Sequence, residues 1–320
     1  MARILIVTPA PPGSRKGNRI TASRWARLLK VSGHRVTVCE EFDGQRCDVL
    51  IAFHARKSAA SIERCVRNSS RIPVVLLLTG TDLYRDIHRN RRAAAMLDAA
   101  DRLVLLQSHG TGELPGRLHS KVRVIPQSAE RPRRTLQPLK QVFEISVSGH
   151  LRSVKDPFRA AIAARQLPAD SRIQITHVGA ALSSRMESQA LKEMSLNGRY
   201  RWLGEVPNWR ARQLVARSRL LVLSSKMEGG ANVISEAIVA SVPILVSRIS
   251  GSTGLLGNDY PGYFDVGSTG QLATLMRRCE QDFGFYESLH AHIRKLAPGF
   301  TPQREQALLC DLVDDVLTRL

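Results

Sequence analysis

Nowhere does the 320-residue sequence run apolar for the ~18 positions that a membrane-spanning helix needs; its longest apolar run, Pro73 to Leu78, has the length of a strand. The opening MARILIVT (Met1–Thr8) is too short in apolar residues for a secretory signal and reads directly as a strand. A cytoplasmic protein without stable membrane insertion is therefore expected. Cysteine is scarce: Cys39, Cys47, Cys65, Cys279 and Cys310 are an odd number, widely spaced, with no C-x-x-C pair. That excludes a disulfide framework and a zinc cluster and leaves buried, reduced thiols. Aromatic residues are only 5% of the chain and no RNA-binding signature occurs, so base stacking on nucleic acid is not expected. The G-x-G-x-x-G fingerprint follows neither opening strand, which argues against a nicotinamide or flavin enzyme. There is no low-complexity tract and no short repeat.

What is abundant is positive charge, +19 overall, and it is uneven. Residues 1–140 hold 26 Lys and Arg against 11 Asp and Glu, a balance of +15; residues 141–320 hold 21 against 17, a balance of +4. A basic first half attracts anions: a small anionic substrate, an anionic lipid surface or nucleic acid. A lipid surface also calls for apolar side chains beside the charges, and the first loop has prolines and arginines but no Phe, Leu or Trp cluster.

Runs rich in Ile, Val and Leu recur at Ile4–Val7, Val36–Val38, Val49–Phe53, Val74–Leu78, Leu103–Leu106 and Val122–Ile125, with helical spacing between several of them. Continuous apolar strands alternating with helices predict a buried parallel sheet, hence an α/β domain of Rossmann-like kind over 1–127. Residues 128–141, with two prolines and several charges, read as a linker. The alternation resumes over 142–300 with strands at Val142–Val147, Ile173–Val178, Leu220–Leu223 and Ile244–Val246 and a helix at Asn232–Ala240. A final helix in 301–320 places Ala307, Leu308, Leu312, Val313 and Val316 on one face. Two Rossmann-like domains predict a ligand in the cleft between them, at the carboxyl ends of the strands.

The residues after the strands carry the chemistry. KMEGGANVISEA (Lys226–Ala237) follows strand Leu220–Leu223 and opens a helix. Gly229 and Gly230 let backbone N–H groups approach an anion, with Ala231 and Asn232 completing the turn. Glu228 lies on the loop and Glu236 in the helix's second turn. A carboxylate accepts two hydrogen bonds from a vicinal diol, so one acid suits a sugar and the other the ribose of a sugar nucleotide. SGHLRSVKDPF (Ser148–Phe158) follows Val142–Val147 and sets Arg152 and Lys155 three residues apart. In the first domain, three segments follow strands: the basic loop Pro9–Ala22 with Gly17, Asn18 and Arg19, His54-Ala-Arg-Lys57 with Arg56, and Thr79-Gly-Thr-Asp-Leu-Tyr84 with Thr81 and Asp82. His54 is a candidate base or anion contact and Asp82 a candidate base or orienting group; Arg19 and Arg56 are candidate anion ligands.

The two acids eight residues apart (E-x7-E) around a Gly-rich turn, in a twin-domain plan, resemble the GT-B glycosyltransferases along essentially the whole chain. The resemblance implies parallel sheets facing across a cleft, a first domain that binds the acceptor, a second that binds the nucleotide sugar, and a last helix that crosses back onto the first domain. It implies that Arg152 and Lys155 neutralise the diphosphate of the departing nucleotide, making a metal unnecessary. GNRITASRW, FHARKS and TGTDLY, together with GHLRSVKDP, WLGEVP and EGGANVISEA, resemble more narrowly the selenosugar synthases of selenoneine biosynthesis. That implies transfer from a UDP-sugar, UDP-N-acetylglucosamine or UDP-glucose, to selenophosphate, with Glu236 on the ribose, Glu228 and the Gly229–Asn232 backbone on the sugar, and Gly17, Asn18, Arg19, Arg56 and Thr81 on the acceptor. No cofactor is implied. The alternative is a GT-B glycosyltransferase with a lipid or saccharide acceptor at the membrane surface.

Overall fold

The computed structural model describes residues 1–14, 16–68, 72–132, 134 and 136–318. Arg15 in the first basic loop, Arg133 and Thr135 in the expected linker and the last two residues of the expected terminal helix lie outside the described residues. The chain forms two compact units, one of Met1–Ser128, Glu228–Asn232 and Thr301–Leu320, the other of Ala129–Met227 and Val233–Phe300.

The first unit is built on β1 (Arg3–Val7), β2 (Arg35–Cys39), β3 (Val49–Phe53), β4 (Val74–Leu77), β5 (Arg102–Leu105) and β6 (Val122–Val124), with helices α1 (Gly17–Val31), α2 (Ala59–Asn68), α3 (Ile87–Arg89) and α4 (Arg91–Ala99). The sheet is parallel throughout, in the order β2-β1-β3-β4-β5-β6. Every residue of β3, β4 and β5 is buried, as the unbroken apolar runs require of strands covered on both faces. Side chains alternate between two cores: Ile4, Ile6, Ile51 and Phe53 pack with Trp25 and Leu29 of α1, whereas Leu5, Leu50 and Leu76 pack with Ile62 of α2 and Leu97 of α4.

The terminal helix, Pro302–Leu317, belongs to this unit and buries Leu309, Leu312, Val313 and Val316 in the α1 core. Thr301 caps it by accepting the Arg304 N–H, and Pro302 occupies its first turn, where a missing N–H costs nothing. The buried stripe differs from the expected one. Ala307 is exposed and Leu309 is buried in its place, the stripe beginning two residues earlier at Glu305, a carboxylate only 1% exposed.

In the second unit come β7 (Phe143–Ser148), β8 (Ile173–Val178), β9 (Tyr200–Trp202), β10 (Leu220–Leu223), β11 (Ile244–Ser247) and β12 (Tyr263–Phe264), with α5 (Arg159–Ala164), α6 (Ser184–Leu196), α7 (Asn208–Arg217), α8 (Asn232–Ala240), α9 (Ser250–Leu256), α10 (Thr269–Gln281) and α11 (Phe283–Leu296). This sheet too is parallel, in the order β12-β11-β10-β7-β8-β9. Read from β9, that is the 3-2-1-4-5-6 Rossmann order, whose switch point falls between β7 and β10. In the first sheet the corresponding reversal falls between β1 and β3. Among the described residues no helix is long and apolar enough to cross a membrane.

Candidate active site

At the switch point of the second sheet the loops after β7 and β10 are stitched together. The Lys226 N–H donates to the Val154 carbonyl at 2.8 Å, and the Ser224 hydroxyl donates to the Asp156 carbonyl at 2.8 Å. The loop after β7 does not run straight into a helix: Ser153–Lys155 form one 3-10 turn, Asp156 takes a left-handed conformation at φ +44°, and α5 starts only at Arg159. Asp156 holds that corner through Arg159, 2.8 Å from its carboxylate. Arg152 is exposed and Lys155 half-buried on this turn, so two cations stand on a loop whose shape is set by backbone contacts.

A third loop braces the first. The Gly149 N–H donates to Val178 O at 2.9 Å and the Leu151 N–H to Ala180 O at 2.9 Å. The approach is so close that a Cβ on Gly179, at φ +147°, would lie 2.0 Å from the Gly149 carbonyl oxygen. Below it His177 is buried, with Nε2 3.1 Å from Gly149 O and Nδ1 3.0 Å from the Tyr200 hydroxyl. A carbonyl can only accept, so Nε2 carries the proton and Nδ1 accepts from Tyr200. Burial pushes the imidazole down to about 4, which keeps it in this neutral form.

In the first unit the acceptor candidates after β3 and β4 form one cluster. Asp82 is fully buried and its carboxylate is engaged: Oδ1 accepts from the Thr79 N–H at 2.8 Å and the Thr79 hydroxyl at 2.6 Å, and Oδ2 from the Ala55 N–H at 3.0 Å. It ties the two strand-end loops together. His54 holds φ +76°, a left-handed conformation that is unfavourable for a side chain of its size. Its Nδ1 accepts a long 3.5 Å bond from the Lys57 N–H, and Nε2 lies 3.3 Å from the Thr81 hydroxyl. Burial pushes its imidazole below the ordinary range, opposed by the nearby Asp82 charge. Arg56 reaches Asp86 at 3.6 Å, and Asp86 also lies 3.9 Å from His54 Nε2. Arg19, half-buried at the start of α1, has its Nη1 buried without a hydrogen-bond partner; Gly17 is exposed and Asn18 half-buried.

The turn Glu228–Asn232 lies in the same unit. Its glycines are demanded first by packing, a reason the sequence pattern did not reveal. A Cβ on Gly229 would lie 2.8 Å from Gly80 N, and one on Gly230 would lie 2.6 Å from Leu106 Cβ. Thus Gly229 meets the turn that carries Thr81 and Asp82. A Cβ on Gly17 would lie 3.9 Å from Asn232 Nδ2. Ala231 is buried, Glu228 and Asn232 half-buried, and Glu236 stands half-buried in the second turn of α8. Residues that strand-end reasoning passed over include Ser225 and Ser252, fully buried hydroxyls without hydrogen-bond partners after β10 and in the first turn of α9. Ser225 had a signal in position alone, a small polar residue just past a buried strand, whereas Ser252, inside α9, had none.

Two parallel six-stranded sheets, one in Rossmann order with basic and acidic groups on its strand-end loops, define a GT-B glycosyltransferase fold. Fold neighbours agree. The chain matches the structure of Anabaena HepE in complex with UDP-glucose at TM-score 0.79 and 15% identity, covering 98% of this chain and 100% of that one. It matches sucrose-phosphate synthase from Thermosynechococcus elongatus at 0.80 and 14%, covering 99% of each, and a glycosyltransferase from Rickettsia africae at 0.78 and 14%, covering 98% of each. No curated protein matches in sequence. The profile of glycosyl transferases group 1 matches residues 129–295, more than half of the chain, and the protein belongs to that family.

Proposed function

We propose that this protein is a cytoplasmic selenosugar synthase, which transfers a sugar from UDP-N-acetylglucosamine or UDP-glucose to selenophosphate, breaking the C1–O bond to release UDP and forming a C1–Se bond; hydrolysis of the Se–P bond by water then releases phosphate and leaves a 1-selenosugar for selenoneine biosynthesis. The donor half is carried by one observation: in a group 1 glycosyl transferase, the loops bearing Arg152, Lys155 and Lys226 are stitched together at the switch point of a Rossmann-order sheet. The HepE structures with UDP and with UDP-glucose support a uridine nucleotide. In this reading, Arg152 and Lys155 stabilise the charge that collects on the β-phosphate oxygen as the C1–O bond breaks. Two cations do there what a divalent metal does in other transferases. Glu236 accepts from the ribose hydroxyls, and Glu228 with the backbone of Gly229, Gly230, Ala231 and Asn232 holds the sugar.

The acceptor half rests on the motif resemblance in GNRITASRW, FHARKS and TGTDLY and on the basic first half of the chain. Residues 1–127 then form the acceptor domain, joined by 128–141 to the donor domain of 142–300, with 301–320 completing the former. Gly17, Asn18, Arg19, Arg56 and Thr81 hold the anion, and Asp82 orients the loops that present His54. Selenium that is ionised at neutral pH attacks C1 without a strong base.

The test is mass spectrometry of the purified protein with UDP-N-acetylglucosamine or UDP-glucose, with and without fresh selenophosphate. A sugar product with the selenium isotope pattern, formed only when both substrates are present, supports the reading. UDP release without such a product redirects the acceptor to a saccharide or lipid, and no consumption of either donor overturns the donor half as well. Glu236→Ala should raise the Kd for UDP about tenfold, the loss of one charge-assisted diol contact; unchanged affinity removes Glu236 from the ribose.

A further inference from the structure

Arg24 lies within GNRITASRW, yet none of the roles above uses it. Its guanidinium spends three different N–H groups on three partners: Nε donates to Glu305 Oε2 at 2.8 Å, Nη1 to Asn232 Oδ1 at 2.9 Å and Nη2 to Gln127 Oε1 at 2.8 Å. Gln127 in turn accepts from the Thr21 hydroxyl and donates to the Gly230 carbonyl. Glu305, on the core stripe of the terminal helix, is satisfied from every side, by Trp25 Nε1 at 2.8 Å, by Arg24, and by the N–H and hydroxyl of Ser128.

A carboxylate on an apolar stripe is an expensive way to pack a helix, since a hydrophobic residue of similar volume is usually as stabilising or more so. What it supplies here is a fixed anchor for one guanidinium. Because Asn232 Oδ1 is taken by Arg24, the amide is locked and its Nδ2 donors face the start of α1, 3.9 Å from the Cβ position of Gly17. Gly230 and Asn232 are thus both held from Arg24, one through Gln127 and one directly.

We propose that Arg24 is a positioning residue for sugar transfer: clamped by Glu305 of the terminal helix, it sets the Gly230 carbonyl and the Asn232 amide in the geometry that receives the donor. The proposal rests on the reading that the Glu228–Asn232 turn holds the sugar nucleotide. It makes the terminal helix, whose residues are assigned no part in binding, a determinant of donor affinity.

Arg24→Lys separates positioning from stability, because a lysine ammonium keeps the charge beside Glu305 but cannot serve three acceptors in one plane. Calorimetry with UDP-glucose on the full-length protein should give a Kd raised roughly tenfold, the loss of one to two hydrogen bonds, while the thermal midpoint moves by less than about 3 °C, a shift that corresponds to under ~1 kcal/mol. In an Asn232→Ala background, Arg24→Lys should raise Kd by clearly less than in the wild type, since coupled residues are not additive and only the arm through Gln127 to Gly230 is left to lose. An unchanged Kd for Arg24→Lys, or the same loss with and without Asn232, overturns the positioning role. If Glu228→Ala alone leaves UDP-glucose binding intact, the donor-turn reading fails first and takes this proposal with it.

Discussion

Two glycines meet beneath the basic loop, and only one of them is sterically constrained. Gly149 stands directly after β7, and a Cβ there would meet nothing within 4 Å. Gly179, after β8, is the constrained one: at φ +147° its Cβ would lie 2.0 Å from the Gly149 oxygen and 2.4 Å from the Gly149 carbonyl carbon. Gly179→Ala therefore has to push the two strand ends apart by about 1.4 Å to reach ordinary contact, with overpacking costing roughly 1–3 kcal/mol and the disfavoured φ roughly 1–2. The displacement also strains the bonds Gly149 N–H to Val178 O and Gly179 N–H to Gly204 O, at 2.9 and 2.8 Å, each worth about 1 kcal/mol. Together the loss comes to about 4 kcal/mol, a large share of the ~5–15 kcal/mol that holds a typical native protein together. Gly149→Ala should cost under about 0.5 kcal/mol, as an unconstrained surface change does. Urea unfolding followed by circular dichroism measures both. Since the loop bearing Arg152 and Lys155 starts at Gly149, Gly179→Ala should also weaken UDP binding below the unfolding range. A Gly179→Ala loss below ~1 kcal/mol, or equal losses for the two variants, would refute the close-approach argument.

Two further outcomes follow from the same loops. His177 has its folded pKa pushed down to about 4, so between the ordinary value near 6.5 and 4 the unfolded chain takes up a proton that the folded protein refuses; stability falls as pH drops through that window, by on the order of 3 kcal/mol at its lower end, and is unaffected above it. His177→Gln keeps a donor and an acceptor but does not titrate, so the stability difference from wild type should shrink from pH 7 to pH 4 in urea titrations, and a constant difference would rule this out. Lys155→Ala should slow UDP release from UDP-glucose by about a hundredfold or more, the usual effect of removing a group that meets developing charge, and near-normal turnover would take Lys155 out of the reaction.

The sequence by itself determined the layers. Val49–Phe53, Ile173–Val178, Leu220–Leu223 and Asn232–Ala240 stand where their apolar content predicts, because a strand covered on both faces must be apolar at every position and a helix opening after a Gly turn announces its start locally. Short elements such as β9 and β12, of three and two residues, carry too little pattern to be seen. Position after a strand was legible too, which is why His54, Asp82, Arg152 and Lys155 could be singled out. Their partners were not. That Asp82 spends its oxygens on Thr79 and Ala55, that Gly229 is small for the sake of Gly80, that Gly179 makes room for Gly149, and that Glu305 lies on the apolar stripe because Trp25 and Arg24 meet it there are all matters of tertiary structure. Arg24 and Glu305 are 281 residues apart. Burial of a strand is a property of its own side chains, whereas the use of a polar group depends on which distant donor or backbone the fold brings within 3 Å of it, and no local pattern encodes that.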